Sequence, residues 1–217
     1  MSDQFRVNKV KARAGLYRLE ISSLAEPIVI SRQLLEKYRL KEGIVITPAQ
    51  LEQLKTEAEL EACDREVARL LAMREHSVGE VRTKLVRKKF ADCAIKHILT
   101  EYQDRQLLDD AHYAQTLVRR IQQRNPAGRA YLIGNLRRKQ IGRELAEKTV
   151  DFLLDDQDQM ELAVRALEKR WSRFSQFDLE TARRRAYNYL SRRGIGYQAA
   201  RAAFEKLYNG MKKGDDN

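Results

Sequence analysis

From residue 5 to residue 21 apolar and charged positions alternate along FRVNKVKARAGLYRLEI, with Gly15 at the break, and this period of two predicts a pair of strands. The β-branched runs ending in Ile30 and Ile46 predict short strands as well. Between them SRQLLEKYRL reads as a helix capped by Ser31. From Thr47 onward the period changes. Thr47, Pro48 and Gln50 supply an N-cap, a proline in the first helical turn and a capping-box partner, which mark a strong helix start. No glycine or proline follows until beyond His76, and apolar residues recur at Leu51, Leu54, Ala58, Ala62, Val67, Leu70 and Leu71, so one long helix or two in line are expected. Ser77 and Glu80 form a second capping box.

Beyond about residue 63 the pattern is helical throughout, and it repeats. A leucine followed five residues later by an apolar residue occurs at Leu85/Phe90, Leu136/Ile141 and Leu190/Ile195, at spacings of 51 and 54 residues. Upstream, Val67-Ala68 with Leu70-Leu71 aligns with Tyr113-Ala114 and Leu117-Val118, and with Leu162-Ala163 and Ala166-Leu167. Downstream, Ile95, Ile98 and Leu99 align with Ala146, Thr149 and Val150, and with Ala200, Ala203 and Phe204. Each unit therefore reads as three helices, and a period near 50 residues marks an array in which neighbouring units bury each other's apolar faces. The expected architecture is mainly α: an N-terminal α+β module with a β-hairpin (1–60), three-helix repeats at 61–108, 109–156 and 157–210 forming an elongated curved array, and a flexible tail at 211–217. Two joints carry Leu-Leu-Asp-Asp, at Leu107–Asp110 and Leu153–Asp156. Paired carboxylates can serve acid–base chemistry, but at a helix start they satisfy free backbone N–H groups, and capping is the expected role.

Charge changes the picture most. The chain holds 42 Lys+Arg against 31 Asp+Glu, a net +11, and residues 1–60 account for only +2 of it. No acidic residue occurs from Ala111 to Arg143, a span containing Arg119, Arg120, Arg124, Arg129, Arg137, Arg138, Lys139 and Arg143. A second acid-free span, Thr181–Phe204, contains Arg184, Arg185, Arg192 and Arg193, and the first repeat concentrates Lys84, Arg87, Lys88 and Lys89. Basic groups follow the anchoring leucine in all three repeats. One such cluster is an ordinary solvated helix face. Its recurrence points to a polyanion partner, contacted through phosphates more than base edges because the charges lie at helix ends and turns. Tyr113, Tyr131, Tyr187, Tyr189 and Tyr197 could stack on bases, although tyrosine at helical spacing more often packs.

Catalytic chemistry finds no foothold. Cys63 and Cys93 stand alone, His76, His97 and His112 are scattered, and no metal-ligand spacing or glycine-rich phosphate loop occurs. With 34% charged and 43% hydrophobic residues the chain should fold. No apolar run reaches the roughly 18 residues of a membrane span, and the first residues lack the apolar core of a secretory signal, so a cytoplasmic protein is expected; separately, a monomer is expected.

The ordered set Ala68-Arg-Leu-Leu-Ala-Met-Arg74, Ser77-x-x-Glu80, Leu85-x-x-Lys88-Lys89-Phe90 and Leu108-Asp109-Asp110-x-x-Tyr113-Ala114 resembles the signature of RecX, the bacterial regulator of the recombinase RecA. Gly128, Leu132, Leu136, Lys139 and Ile141 are similar to that family's second repeat. The family's usual Lys-Gly before the third helix is absent at Lys89-Phe90 and at Lys139-Gln140, whereas Arg193-Gly194 keeps the glycine. The resemblance implies a non-enzymatic protein without cofactor that binds the RecA filament on single-stranded DNA and damps ATP hydrolysis, strand exchange and co-protease activity. Two other classes fit the residues alone: a DNA-binding architectural or transcription protein acting without a recombinase, and a helical scaffold for an acidic protein.

Overall fold

The computed structural model describes residues 5–154 and 159–215, the backbone alone for 211–215. Two compact units result, Met1–Leu108 and Asp109–Asn217.

In the first unit, β1 (Phe5–Arg13) and β2 (Leu16–Ile21) form the expected antiparallel hairpin, turned by Ala14 and Gly15 at φ 51° and 79°. Both turn residues are left-handed, which matches the twist of a two-residue hairpin. β3 (Ile28–Ile30) and β4 (Val45–Ile46) complete a sheet ordered β3-β2-β1-β4. The short helix α1 (Arg32–Lys37) starts at Ser31, whose hydroxyl accepts from the Leu34 N–H. Then α2 (Pro48–Met73) opens on the Thr47–Gln50 capping box and runs unbroken for 26 residues, about 39 Å. Its first half buries Leu51, Leu54 and Ala58 with Val7, Leu19, Ile30 and Ile46 of the sheet. Its second half buries Cys63, Val67 and Leu70 with α3 (Val78–Arg87) and α4 (Asp92–Asp104). The expected boundary at 60/61 thus lies inside one helix, which serves the N-terminal module and the first repeat in turn. The division into two units falls after Leu108.

In the second unit, α5 (Asp110–Arg124), α6 (Arg129–Arg138) and α7 (Arg143–Leu154) enclose Ala114, Val118, Leu132, Leu136, Ala146 and Val150. The last repeat comprises α8 (Gln159–Glu168), a single turn α9 (Trp171–Phe174), α10 (Leu179–Arg192) and α11 (Tyr197–Asp215). Its core contains Leu162, Ala166, Leu167, Ala186, Leu190 and Phe204. Asp109 caps α5 by accepting from the N–H groups of Ala111 and His112, so the first acidic joint serves a helix start. Asp155 and Asp156 of the second joint lie outside the described residues. Helix α11 reaches Asp215, beyond the expected tail boundary at 210, because a single Gly210 costs only about 1 kcal/mol and does not end a helix.

The five-residue spacing that betrays the repeats has a backbone cause. Phe90, Ile141 and Ile195 each donate their N–H to the carbonyl of the anchoring Leu85, Leu136 or Leu190, at 3.3, 3.1 and 3.1 Å. The residue between, Lys89, Gln140 or Gly194, is left-handed at φ 64°, 61° or 71°. These are Schellman helix ends, whose signature includes an apolar contact between the same two positions. All three leucines are fully buried.

One alignment needs correcting. Ala68 is exposed, whereas Ala114 and Ala163 are buried. The helix ends at Arg74 and Asn125, the next starts at Ser77 and Gly128, and the anchors Leu85 and Leu136 are each separated by 51 residues. On that single offset Val67 corresponds to Val118 and Cys63 to Ala114. Apolar content shared by neighbouring turns of one helix concealed a slip of five residues at Val67-Ala68 and four at Leu70-Leu71.

Candidate functional site

The second helix of each repeat ends in cations at the Schellman turn that follows the anchoring leucine. Arg87, Lys88 and Lys89 end α3, Arg137, Arg138 and Lys139 end α6, and Arg192 and Arg193 end α10. Carbonyls left open at a helix C-terminus favour positive charge, by about 0.3–1 kcal/mol per side chain. Part of the clustering is therefore an ordinary property of helix ends. Arg119 and Arg184, exposed in the middle of α5 and α10, have no such local reason.

The sixteen candidate cations separate by what they touch. Lys84 donates to His76 Nε2 at 2.6 Å, and the Nδ1 edge of that ring meets the Arg74 carbonyl at 2.9 Å. Because lysine only donates, Nε2 must accept, so the ring proton sits on Nδ1 and the imidazole is neutral. Burial, which lowers the His76 pKa, favours that form. Lys88 pairs with Glu66 at 2.7 Å, and Arg69 meets the same carboxylate at 2.6 Å. Those two cations hold Glu66, itself 8% exposed, at a pKa of about 2, against the desolvation that opposes them. Arg129 forks onto Asp151 at 2.6 and 2.9 Å. Arg143 pairs with Glu147, Arg138 donates to Asn135, and Arg185 lies 3.9 Å over the Phe177 ring. Arg120 and Lys139 also have partners. The side chains of Arg87, Lys89, Arg119, Arg124, Arg137, Arg184 and Arg192 are exposed and make no ion pair or hydrogen bond among the described residues.

Arg193 does something the sequence did not suggest. Its Nε donates to the Pro126 carbonyl at 2.8 Å, its Nη2 to that of Asn125, and its guanidinium lies 4.6 Å over Tyr131 and 6.0 Å from Tyr189. Beside it Lys169 donates to the carbonyls of Gln123 and Arg124. Two cations of the third repeat thus close the C-terminal end of α5 in the second. The Gly128 N–H donates to the Arg193 carbonyl at 2.8 Å, and a Cβ on Gly128 would lie 2.0 Å from the Gly194 oxygen, so only glycine fits there. The available signal was the glycine pair, Gly128 and Gly194, each beside a basic helix start or end. Since Arg193 packs on Tyr131 while Arg137 and Arg138 end the same helix, the two clusters lie about 10 Å apart along α6.

Of the tyrosines, Tyr113 is buried, Tyr187 packs edge-on against Tyr197 and Phe204, and Tyr131 and Tyr189 carry Arg193; Tyr197 alone of the five is exposed. Packing accounts for most of them. Among the described residues no group of acidic, histidine or cysteine side chains could hold a metal ion, and no helix is long and apolar enough to cross a membrane.

Comparison with known proteins agrees with this architecture. A family model described as the first three-helix domain of RecX matches residues 66–101, the end of α2 through most of α4. A regulatory protein RecX of Syntrophotalea carbinolica is 33% identical over 131 residues, 58% of this chain and 84% of that protein. One of Streptococcus mutans is 25% identical over 203 residues, 93% of this chain and 77% of that protein. Among solved structures, a crystal structure of regulatory protein RecX superposes with a TM-score of 0.63 at 19% identity, covering 93% of this chain and 99% of that one. That of RecX from Lactobacillus salivarius gives 0.58 at 23%, covering 69% and 96%. The Schellman-ended repeats, the glycine joint and these similarities converge: the chain belongs to the RecX family of regulatory proteins.

Proposed function

We propose that this protein regulates a RecA-type recombinase without catalysing a reaction, by binding the recombinase filament on single-stranded DNA through the exposed cations of its helical repeats. One observation carries the reading. Of the sixteen candidate cations, seven on or just beyond α3, α5, α6 and α10 are exposed with side chains that have no partner among the described residues, whereas the other nine have an intramolecular partner. Helix-end electrostatics explain cations in the last turn, but not Arg119 or Arg184. A filament groove floored by a phosphate backbone supplies the missing negative charge, and binding there would obstruct strand exchange and the filament rearrangements coupled to ATP hydrolysis.

Lys84, Lys88, Arg129, Arg143, Arg185 and Arg193 are weaker candidates for direct contact than the sequence implies, since each already has an intramolecular role. Neutralising Arg119, Arg137 and Arg184 to Gln should reduce inhibition of filament ATPase and flatten the salt dependence of binding, by about 0.7 in log K against log salt for each single-strand phosphate no longer neutralised. Circular dichroism and melting temperature should stay unchanged. Undiminished inhibition by this folded variant would overturn the proposal. Nanomolar, sequence-dependent binding to duplex DNA without recombinase would favour an architectural or transcriptional role instead.

A further inference from the structure

The N-terminal module has almost no net charge, yet the sheet sorts its charges by face. Antiparallel register places Lys9 opposite Glu20, Lys11 opposite Arg18 and Arg13 opposite Leu16. Alternation on β2 sends Leu19 and Ile21 to the face covered by α1 and α2, where they are buried with Val7 and Ile30, and a register shift between Val7 and Lys9 turns Lys9, Lys11 and Arg13 to the other side. Lys9, Lys11, Arg13 and Arg18 therefore share the opposite, exposed face with Glu20. The module's acids lie elsewhere and have local duties: Glu36 pairs with Arg32, Glu57 with Lys37, Glu61 accepts from Ser31, and Glu42 accepts from the Val10 N–H at the sheet edge.

Two further features set this face apart from an ordinary solvated one. Like charges directly opposed across a strand pair are destabilising, and Lys11 and Arg18 are so opposed, with a single exposed 3.2 Å pair between Lys11 and Glu20 as relief. The face is also concave. A hollow of about 670 Å³ is lined by Lys11, Arg13, Leu16, Arg18, Glu20 and Val29, and Val29 is 41% exposed despite being β-branched.

We propose that this outer face of β1, β2 and β3 is a second nucleic-acid-binding surface, taking the backbone of single-stranded DNA independently of the helical repeats. Lys9, Lys11 and Arg13 alternate along one strand at about 7 Å, close to the rise of two stacked nucleotides at about 3.4 Å each. Leu16 and Val29 give an apolar floor against which unpaired bases or sugars can rest, a contact that a closed duplex does not offer. Among the described residues no aromatic side chain lines the hollow, so contact rests on phosphates and sugars, which carry no sequence information. In a regulator acting on filaments, such a surface would engage strand that recombinase has left uncovered.

The test uses the full chain carrying Lys11→Gln, Arg13→Gln and Arg18→Gln, titrated by fluorescence anisotropy with a labelled oligothymidylate over a range of salt concentrations. The slope of log K against log salt should fall by about 2, three phosphates at about 0.7 each. Melting temperature should hold or rise, because the opposed Lys11–Arg18 pair is gone. In the wild type, oligothymidylate should protect Lys9 and Lys11 from acetylation as read by mass spectrometry. The same protection should persist when Arg119, Arg137 and Arg184 are Gln, which separates this surface from the repeats. An unchanged slope, unprotected lysines or equal protection by a duplex of matching length would overturn the proposal; so would loss of protection in the repeat variant.

Discussion

Glu66 is buried on the core side of α2, yet it stays ionised because Arg69 and Lys88 supply hydrogen bonds and charge from two elements of the first repeat. Its pKa, held at about 2 when folded and near 4.5 when free, means the pair stabilises the fold fully above pH 4.5 and loses that contribution as pH falls through 2. Both cations are half exposed, so the net value is about 1–2 kcal/mol after screening. Glu66→Gln should lower stability by that amount at pH 7 and remove the extra loss on acidification, as read by urea unfolding at pH 7 and pH 3. Lys89 illustrates the opposite case. It occupies a left-handed helix-end position that the third repeat fills with Gly194, at φ 64°. Lys89→Gly should therefore raise stability by about 0.5–1 kcal/mol in the same assay. Neither effect was legible in the sequence. A glutamate next to Val67 shows no partner until α3 is placed beside α2, and a lysine among lysines does not advertise its φ angle.

At the scale of elements, the second and third repeats meet through a close backbone contact at Gly128 and Gly194 and through the long side chains of Arg193 and Lys169. Gly128→Ala would force a Cβ to within 2.0 Å of the Gly194 oxygen, so the α6 start and the α10 end must separate. Thermal melts should show a loss of at least about 3 kcal/mol, together with increased hydrogen exchange at the amide of residue 128 itself. Arg193→Ala should cost about 2–3 kcal/mol by leaving the Asn125 and Pro126 carbonyls without donors, whereas Arg192→Ala, one residue earlier and exposed, should change stability by less than about 0.5 kcal/mol. The capping boxes at Thr47 and Ser77 and the aspartate cap at Asp109 lie where the sequence put them, since each is a contact within three residues. The partition of α2 between two cores was hidden, because a helix that is apolar on one face looks the same whichever partner it buries that face against.

For the molecule as a whole, cations fall into structural and available sets, and salt should distinguish them. Raising salt should weaken nucleic-acid binding steeply while altering the melting temperature little, since most of the internal ion pairs are exposed. A parallel decline of binding and melting temperature would show that the exposed cations are structural after all. The sequence by itself determined the helical repeats, their period, their helix starts and the concentration of charge in them, because periodicity, caps and Schellman ends are written in residues a few positions apart. It also carried the family resemblance, in core and cap positions of that repeat. Tertiary structure alone decided which cations remain free, that Arg193 closes α5 across 68 residues, that Glu66 is sheltered by Lys88, and that a module of nearly balanced charge presents one basic face. Those outcomes depend on which surfaces of distant segments meet, and local patterning constrains that only through which face is apolar.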